Sequence, residues 1–306
     1  MRAKTLSVFL LCSLSLLLNN SILWAGEKLR IVATTSTFAS IAKDIAGDKA
    51  DIYFIASPNR DIHYISPTPK DVVKLKNADV FIHAGLDLEA WRAPLLDAVG
   101  RTDLMWPAGK RQIDLSQGIS LVEIPTSLSR AQGDIHAYGN PHYWIDPLNA
   151  KIIARNIAEG LARLYPEDAD FFRKNMENFD RRVDEKMTDW GKQISDYKGK
   201  PVVVYHNSWP YFMGRFGLVT IGFLEPKAGI PPTAKHIEEI KRIMKDKGAK
   251  VIVKEIFHES RTPKKISRET GARVITLATE PGEVGGDYFS LIDHDIHELV
   301  QAFSSK

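Results

Sequence analysis

The chain has 306 residues, 44% apolar and 26% charged, the balance of an ordinary soluble globular protein of about two domains. Its formal net charge is +3, but Arg2 and Lys4 stand in a segment that reads as a leader, and without them 39 basic residues face 38 acidic ones; nothing in that balance calls for nucleic acid. The single cysteine, Cys12, lies in the same segment, so the fold closes without disulfides and any metal site must use nitrogen and oxygen donors.

The N-terminus carries a short positive stretch, an apolar run from Leu6 to Leu18, and Leu23-Trp24-Ala25 ahead of Gly26. That order predicts a cleaved secretory signal peptide over 1–25. The run is short for a membrane span, and Cys12 lacks the small residues that precede a lipid-modified cysteine. A soluble periplasmic protein without a permanent membrane anchor is expected. From Leu29 onward, strands and helices alternate. Residues 29–34 read as a buried strand, Thr35-Ser36 as the cap of a helix that Gly47 ends, and 50–55 as a second strand. A helix over 70–77, a strand over 78–84, a helix from about Asp87 to Ala98 and a short strand between Leu104 and Asp114 follow. The stretch 123–140 is polar and rich in Ser and Gly, and an irregular flap is expected there.

A helix is predicted over 149–164, and Pro166 opens another. Phe171, Phe172, Met176, Phe179, Val183, Met187, Trp190 and Ile194 recur at spacings of three and four, the mark of one long amphipathic helix. At ~1.5 Å per residue it would extend about 45 Å. Strands are then expected at 201–205, 219–224, 249–253 and 272–277, with helices at 208–216, 261–270 and 288–303 and one that Thr233 caps and that runs to Lys247. Such alternation implies parallel sheets. The predicted fold class is α/β: two lobes, each a roughly four-stranded, mostly parallel sheet flanked by helices, joined by one long rigid helix. The lobes are taken as 26–165 and 199–306, and the linking helix as 166–198.

Three histidines stand in unusual surroundings. His142 lies between Asn140-Pro141 and Asp146-Pro147, where prolines stiffen the backbone on both sides. His63 follows the second strand, in Asp61-Ile62-His63-Tyr64, and His206 ends the strand through Val202. Ligands of open parallel sheets gather beyond the carboxyl ends of the strands. Any one of these residues alone is better explained as a structural histidine; together they predict a metal site closed between two lobes. Three imidazoles and a carboxylate suit near-tetrahedral Zn2+, whereas oxygen in place of nitrogen would favour Mn2+.

These residues also carry a resemblance. The stretch from Asp61 through Asp71, then Gly85-Leu86-Asp87-Leu88-Glu89-Ala90-Trp91, resembles the first lobe of the zinc/manganese-binding proteins of bacterial ABC importers (cluster A-I). Asn140-Pro141-His142-Tyr143-Trp144-Ile145-Asp146-Pro147 and Tyr205-His206 are similar to that family's second and third ligand motifs, and Gly286-Asp287-Tyr288 to the start of its last helix. The resemblance covers essentially the whole mature chain. It implies a metal buried between the lobes, delivery to the permease of an ABC importer by a monomeric receptor, and no catalytic residues. The family places a carboxylate after the last strand of the second lobe, where this chain has Leu277-Ala278-Thr279-Glu280-Pro281. Glu280 is therefore expected to complete His63, His142 and His206 around Zn2+, with Mn2+ as the alternative cargo. Asp287, Glu225, Glu255 or a water molecule are the other options, Asp287 reading better as a helix cap.

Asp146 is expected to cap a helix or to orient an imidazole, and Glu89 and Trp91 to support packing. The family's zinc members often carry a long histidine-rich loop, and this chain has only His136 there, placed to hand metal to the site. His83, His236, His258, His294 and His297 read as structural or exposed. Two rivals stand against the importer reading. A secreted zinc metallohydrolase would use Glu225 or Glu255 as general base, but the sequence has no His-Glu-x-x-His helix. An adhesin would use another face of the same fold.

Overall fold

The computed structural model describes residues 27–105, 109–126, 136–227 and 229–304; the segment read as a signal peptide, 1–25, and much of the flap, 127–135, lie outside the described residues. Among the latter, eight strands form two separate sheets. β1 (Leu29–Ala33), β2 (Ala50–Phe54), β3 (Val80–His83) and β4 (Gln112–Asp114) lie in the order β2-β1-β3-β4. β5 (Pro201–Val204), β6 (Val219–Phe223), β7 (Val251–Lys254) and β8 (Arg273–Thr276) repeat that order as β6-β5-β7-β8. All pairings are parallel. β3 and β7 are buried along their whole length, as strands covered on both faces must be. The chain direction across each sheet reverses beside its first strand, so the residues leaving β1 and β5 stand at the switch points where such sheets bind ligands.

The helices are α1 (Ser36–Ala46), α2 (Pro69–Lys76), α3 (Arg92–Val99), α4 (Pro147–Leu164), α5 (Ala169–Ile194), α6 (Pro210–Phe216), α7 (Ala234–Lys247), α8 (Arg261–Thr270), α9 (Pro281–Val284) and α10 (Tyr288–Ser304). One expectation needs correction. The helix expected from about Asp87 begins at Arg92, because Leu86 and Asp87 take φ of 54° and 57° and form a left-handed turn that no helix continues through. The short α9 was not among the expected elements, since no apolar periodicity announces it; Glu283 Oε1 accepts the Thr279 and Glu280 backbone N–H groups ahead of its first turn, both at 3.1 Å.

The long helix is α5, whose 26 residues extend about 39 Å; tight 3-10 turns at Pro166–Asp168 and Ser195–Tyr197 take up the ends of the predicted span. Phe172, Phe179, Val183, Trp190 and Ile194 are buried, and Phe171, Met176 and Met187 half-buried. α5 packs on α1 and α4 from the first half of the chain and on α10 from the second. Arg182 bridges Asp44 of α1 (3.0 Å) and Asp287 (3.4 Å) with its guanidinium over the Phe289 ring. Trp190 Nε1 donates to Asp293 at 2.7 Å.

The two lobes meet along a packed seam. Trp144 is 1% exposed; its Nε1 donates to the Thr279 carbonyl at 2.9 Å, its ring edge meets Phe38, and Tyr288 donates its hydroxyl to the Trp144 carbonyl at 3.1 Å. Gly282 lies so close to Pro58 that a Cβ would collide with the ring, which is how α9 of the second lobe reaches the first. One apolar core runs across the seam, from Ile31 through Trp144 to Leu299.

Candidate metal centre

His63 sits on a 3-10 turn, Ile62–Tyr64, that Asp61 caps. Asp61 Oδ1 accepts the His63 backbone N–H at 3.0 Å and lies 2.7 Å from Nδ1, while Trp91 Nε1 pins the turn by donating to the Ile62 carbonyl at 2.7 Å. His142 repeats the device. Asn140 Oδ1 accepts its backbone N–H at 3.0 Å and lies 2.9 Å from Nδ1. His206 leaves β5 with Nδ1 2.7 Å from Glu225 Oε2, just past β6. An oxygen facing each Nδ1 holds the ring proton there and leaves the Nε2 lone pair for a ligand.

The three rings converge, with centroids 5.1 Å apart for His63 and His142, 5.6 Å for His63 and His206, and 5.3 Å for His142 and His206. Their ligand atoms lie within 4.8 Å of one another, the spacing of a group able to hold a metal ion. They line a small cavity of about 20 Å³ together with Trp144 and Glu280. His136, arriving from the flap, brings its Nε2 to 3.1 Å from His63 Nε2. Burial first, and then the neighbouring His63, His206 and His136, push the pKa of His142 well below the usual range, so its imidazole is neutral. His206 moves the other way: burial pulls its pKa down, but the Glu225 hydrogen bond and the charges of Glu255, Glu225 and Asp61 outweigh that and raise it.

Glu280 reaches across the seam. Its Oε2 accepts from Ser36 Oγ (2.7 Å), Thr37 N (2.8 Å) and Thr37 Oγ1 (3.0 Å), at the N-terminal turn of α1, where free N–H groups and the helix dipole favour an anion. Its Oε1 is buried with no hydrogen-bond partner among the described residues. Burial outweighs the hydrogen bonds and pushes its pKa from 4.5 to about 7. As a neutral acid Glu280 contributes stability that is complete below pH 4.5 and lost as pH rises through about 7. Glu280→Gln keeps an acceptor and cannot ionise. Between pH 5 and pH 8 it should gain up to about 3 kcal/mol relative to wild type, read from denaturant midpoints of the metal-stripped proteins. An unchanged difference would mean that the carboxyl does not titrate in this range.

The other carboxylates considered as ligands do not line the cavity. Asp287 caps α10 by accepting from Ser290 N at 2.9 Å and pairs with Arg182. Glu225 holds His206, and Glu255 accepts from Trp209 Nε1 at 2.8 Å and lies 3.4 Å from His258 Nε2. Asp146 caps α4 and accepts from Nε and Nη2 of Arg215 at 2.8 and 2.9 Å; the orienting of imidazoles falls instead to Asp61, Asn140 and Glu225. Two of these left a trace in the sequence, an oxygen-bearing residue two positions before the histidine in Asp61-x-His63 and Asn140-x-His142. Glu89 accepts the Ala84 backbone N–H at 2.7 Å. His83 is buried beside Arg92 and kept neutral, its pKa pushed down to about 3 by burial and then by that guanidinium. His236 Nε2 lies 2.8 Å from the Phe223 carbonyl, and His258 stacks on Tyr205.

The chain matches the ZnuA family, described as zinc-uptake complex component A, periplasmic, over residues 31–302. It is 25% identical over 291 residues to the manganese ABC transporter substrate-binding lipoprotein PsaA of Streptococcus anginosus, covering 92% of this chain and 91% of PsaA. It is 24% identical to the zinc-binding protein AdcA of Streptococcus pyogenes serotype M1, covering 90% of this chain and 56% of AdcA. A crystal structure of ZnuA matches with a TM-score of 0.77 at 23% identity, over 91% of this chain and 100% of that one. The matched span runs from β1 into α10 and so takes in both sheets, the long helix and all three converging histidines: the chain belongs to the ZnuA family of periplasmic zinc-uptake components.

Proposed function

We propose that this protein is the periplasmic receptor of an ABC metal importer, which captures one divalent transition metal between its lobes and delivers it to the permease. It leaves the cytoplasm on the 1–25 leader, works as a monomer, and moves lobes 26–165 and 199–306 against each other on the helix of 166–198. The observation that carries this reading is the meeting of three imidazoles from distant parts of the chain, each with an oxygen on Nδ1 and its Nε2 turned to the shared cavity, where that of His63 meets only another imidazole, His136. His63, His142 and His206 supply three nitrogens. Glu280 supplies the fourth donor through Oε1, while Oε2 stays on α1. Three nitrogens and one oxygen favour Zn2+ over Mn2+; the relatives' names include both metals. His136, carried by the flap, takes part in entry.

The cavity, at about 20 Å³, has room for an ion or about one water. Isothermal titration of the metal-stripped protein should give one equivalent of Zn2+ and weaker binding of Mn2+. Protons compete for Glu280 and His206, whose pKa values are raised. Zn2+ affinity should therefore fall at least about tenfold from pH 8 to pH 6. No heat of Zn2+ binding at pH 8 would sink the importer reading.

A further inference from the structure

We propose that Glu123, which is none of the four ligands, fixes the orientation of one metal-binding imidazole and tethers the loop of a second; the proposal rests on the importer reading above. Asn140 uses its side-chain amide in both directions. Oδ1 faces the His142 backbone N–H and Nδ1, at 3.0 and 2.9 Å. Nδ2 donates to Glu123 Oε2 at 3.0 Å and to the Asn207 carbonyl at 2.8 Å. The same Glu123 oxygen accepts from Asn207 Nδ2 at 2.7 Å. A flipped Asn140 amide would set its oxygen against a carboxylate and a carbonyl, both acceptors, and its NH2 against the His142 N–H, a donor. Asn140 and His142 are buried, so the His142 N–H and the Asn140 amide would be left unpaired away from water, which makes the flip unfavourable, while Glu123 reaches them from the exposed side.

One amide orientation is thereby fixed, and with it the tautomer of His142 that carries its proton on Nδ1 and turns the Nε2 lone pair to the ion. Asn207 follows His206 in the chain, so one carboxylate oxygen ties the flap to ligand loops from both lobes. The backbone supports the same junction. Asn140 N donates to the Val122 carbonyl at 2.9 Å, Val122 N donates to Tyr211 Oη at 3.3 Å, and Tyr211 donates its hydroxyl to the Asn140 carbonyl at 2.9 Å. Glu123 itself takes φ of 55°, a left-handed backbone uncommon for residues other than glycine. Its role is that of an acceptor. A glutamine, which also offers an acceptor oxygen, can serve; an alanine cannot.

Glu123→Ala and Glu123→Gln separate positioning from a plain structural contact. In metal-stripped protein, nitrogen-15 NMR of His142 should report the Nδ1–H tautomer in wild type and Glu123→Gln, and a mixture of tautomers in Glu123→Ala. Loaded with Zn2+, Glu123→Ala should release the ion to a chelator about 10-fold faster, as expected when a partner orienting a metal-bound histidine is lost. Glu123→Gln should release at the wild-type rate. Asn207→Asp, which sets a second carboxylate against Glu123, should speed release in the same direction. A wild-type tautomer or a wild-type release rate in Glu123→Ala overturns the proposal. If wild-type protein takes up no metal, the importer reading fails instead, and the tautomer measurement alone decides on Glu123.

Discussion

His142→Ala is expected to abolish tight binding of Zn2+ while leaving the protein folded. Zn2+ held by four protein ligands is worth about 10–16 kcal/mol. One ligand's share of that, about 3–4 kcal/mol, corresponds to a loss of roughly 100- to 1,000-fold in Kd. His142 should sit at the upper end of this range. It is buried and neutral, so no proton has to leave and no exposed side chain has to be ordered before it binds. The fold tolerates the change because Asn140 still accepts the backbone N–H at position 142 and Asp146 still caps α4. Competition titration against a zinc chelator measures the effect, with His236→Ala as the control. Equal affinity in wild type and His142→Ala would show that the ion binds elsewhere.

The largest loss of stability is expected at the seam. Trp144→Ala removes a fully buried indole lying between Phe38 and the Thr279 carbonyl. Large-to-small changes of this kind cost about 3–5 kcal/mol, and the Thr279 carbonyl, left with only the 3.3 Å contact from Thr37 Oγ1, adds to the loss. Trp144→Phe retains much of the apolar contact and should cost about 1–2 kcal/mol, the part due to the hydrogen bond and lost volume. Urea denaturation of both variants tests this ordering. A cost below about 1 kcal/mol for the alanine variant would be incompatible with a packed seam. Because His142 lies beside Trp144, with ring centroids 5.4 Å apart, the same variant should also release Zn2+ faster.

Much of this architecture was legible in the residues. Apolar runs of four to six alternating with helical periodicity are enough to specify parallel sheets, and the spacing from Phe172 to Ile194 specifies α5. His63 and His142 announced themselves through the prolines and turn residues around them, since a rigid loop has a local sequence cause. Contacts between segments distant in the chain did not announce themselves. Glu225 stands just past a predicted strand, but that it faces His206 Nδ1 depends on β5 and β6 lying side by side. Glu280 was legible as an acid in the loop after the last strand; its hold on Ser36 and Thr37, 244 and 243 positions away, exists only where the two lobes pack together. The turn at Leu86 and Asp87 was missed because left-handed backbone at a leucine has no compositional mark.

The placement of Glu280 has a kinetic consequence. In the proposed set two donors, His63 and His142, belong to one lobe and two, His206 and Glu280, to the other. Parting the lobes along the Glu280–α1 seam withdraws a pair of donors in one event rather than one bond after another. What is left behind is a two-imidazole chelate, from which a transporter's own side chains can draw the cation without ever competing against a complete coordination sphere. Tight retention and prompt unloading then differ by a single rigid-body step.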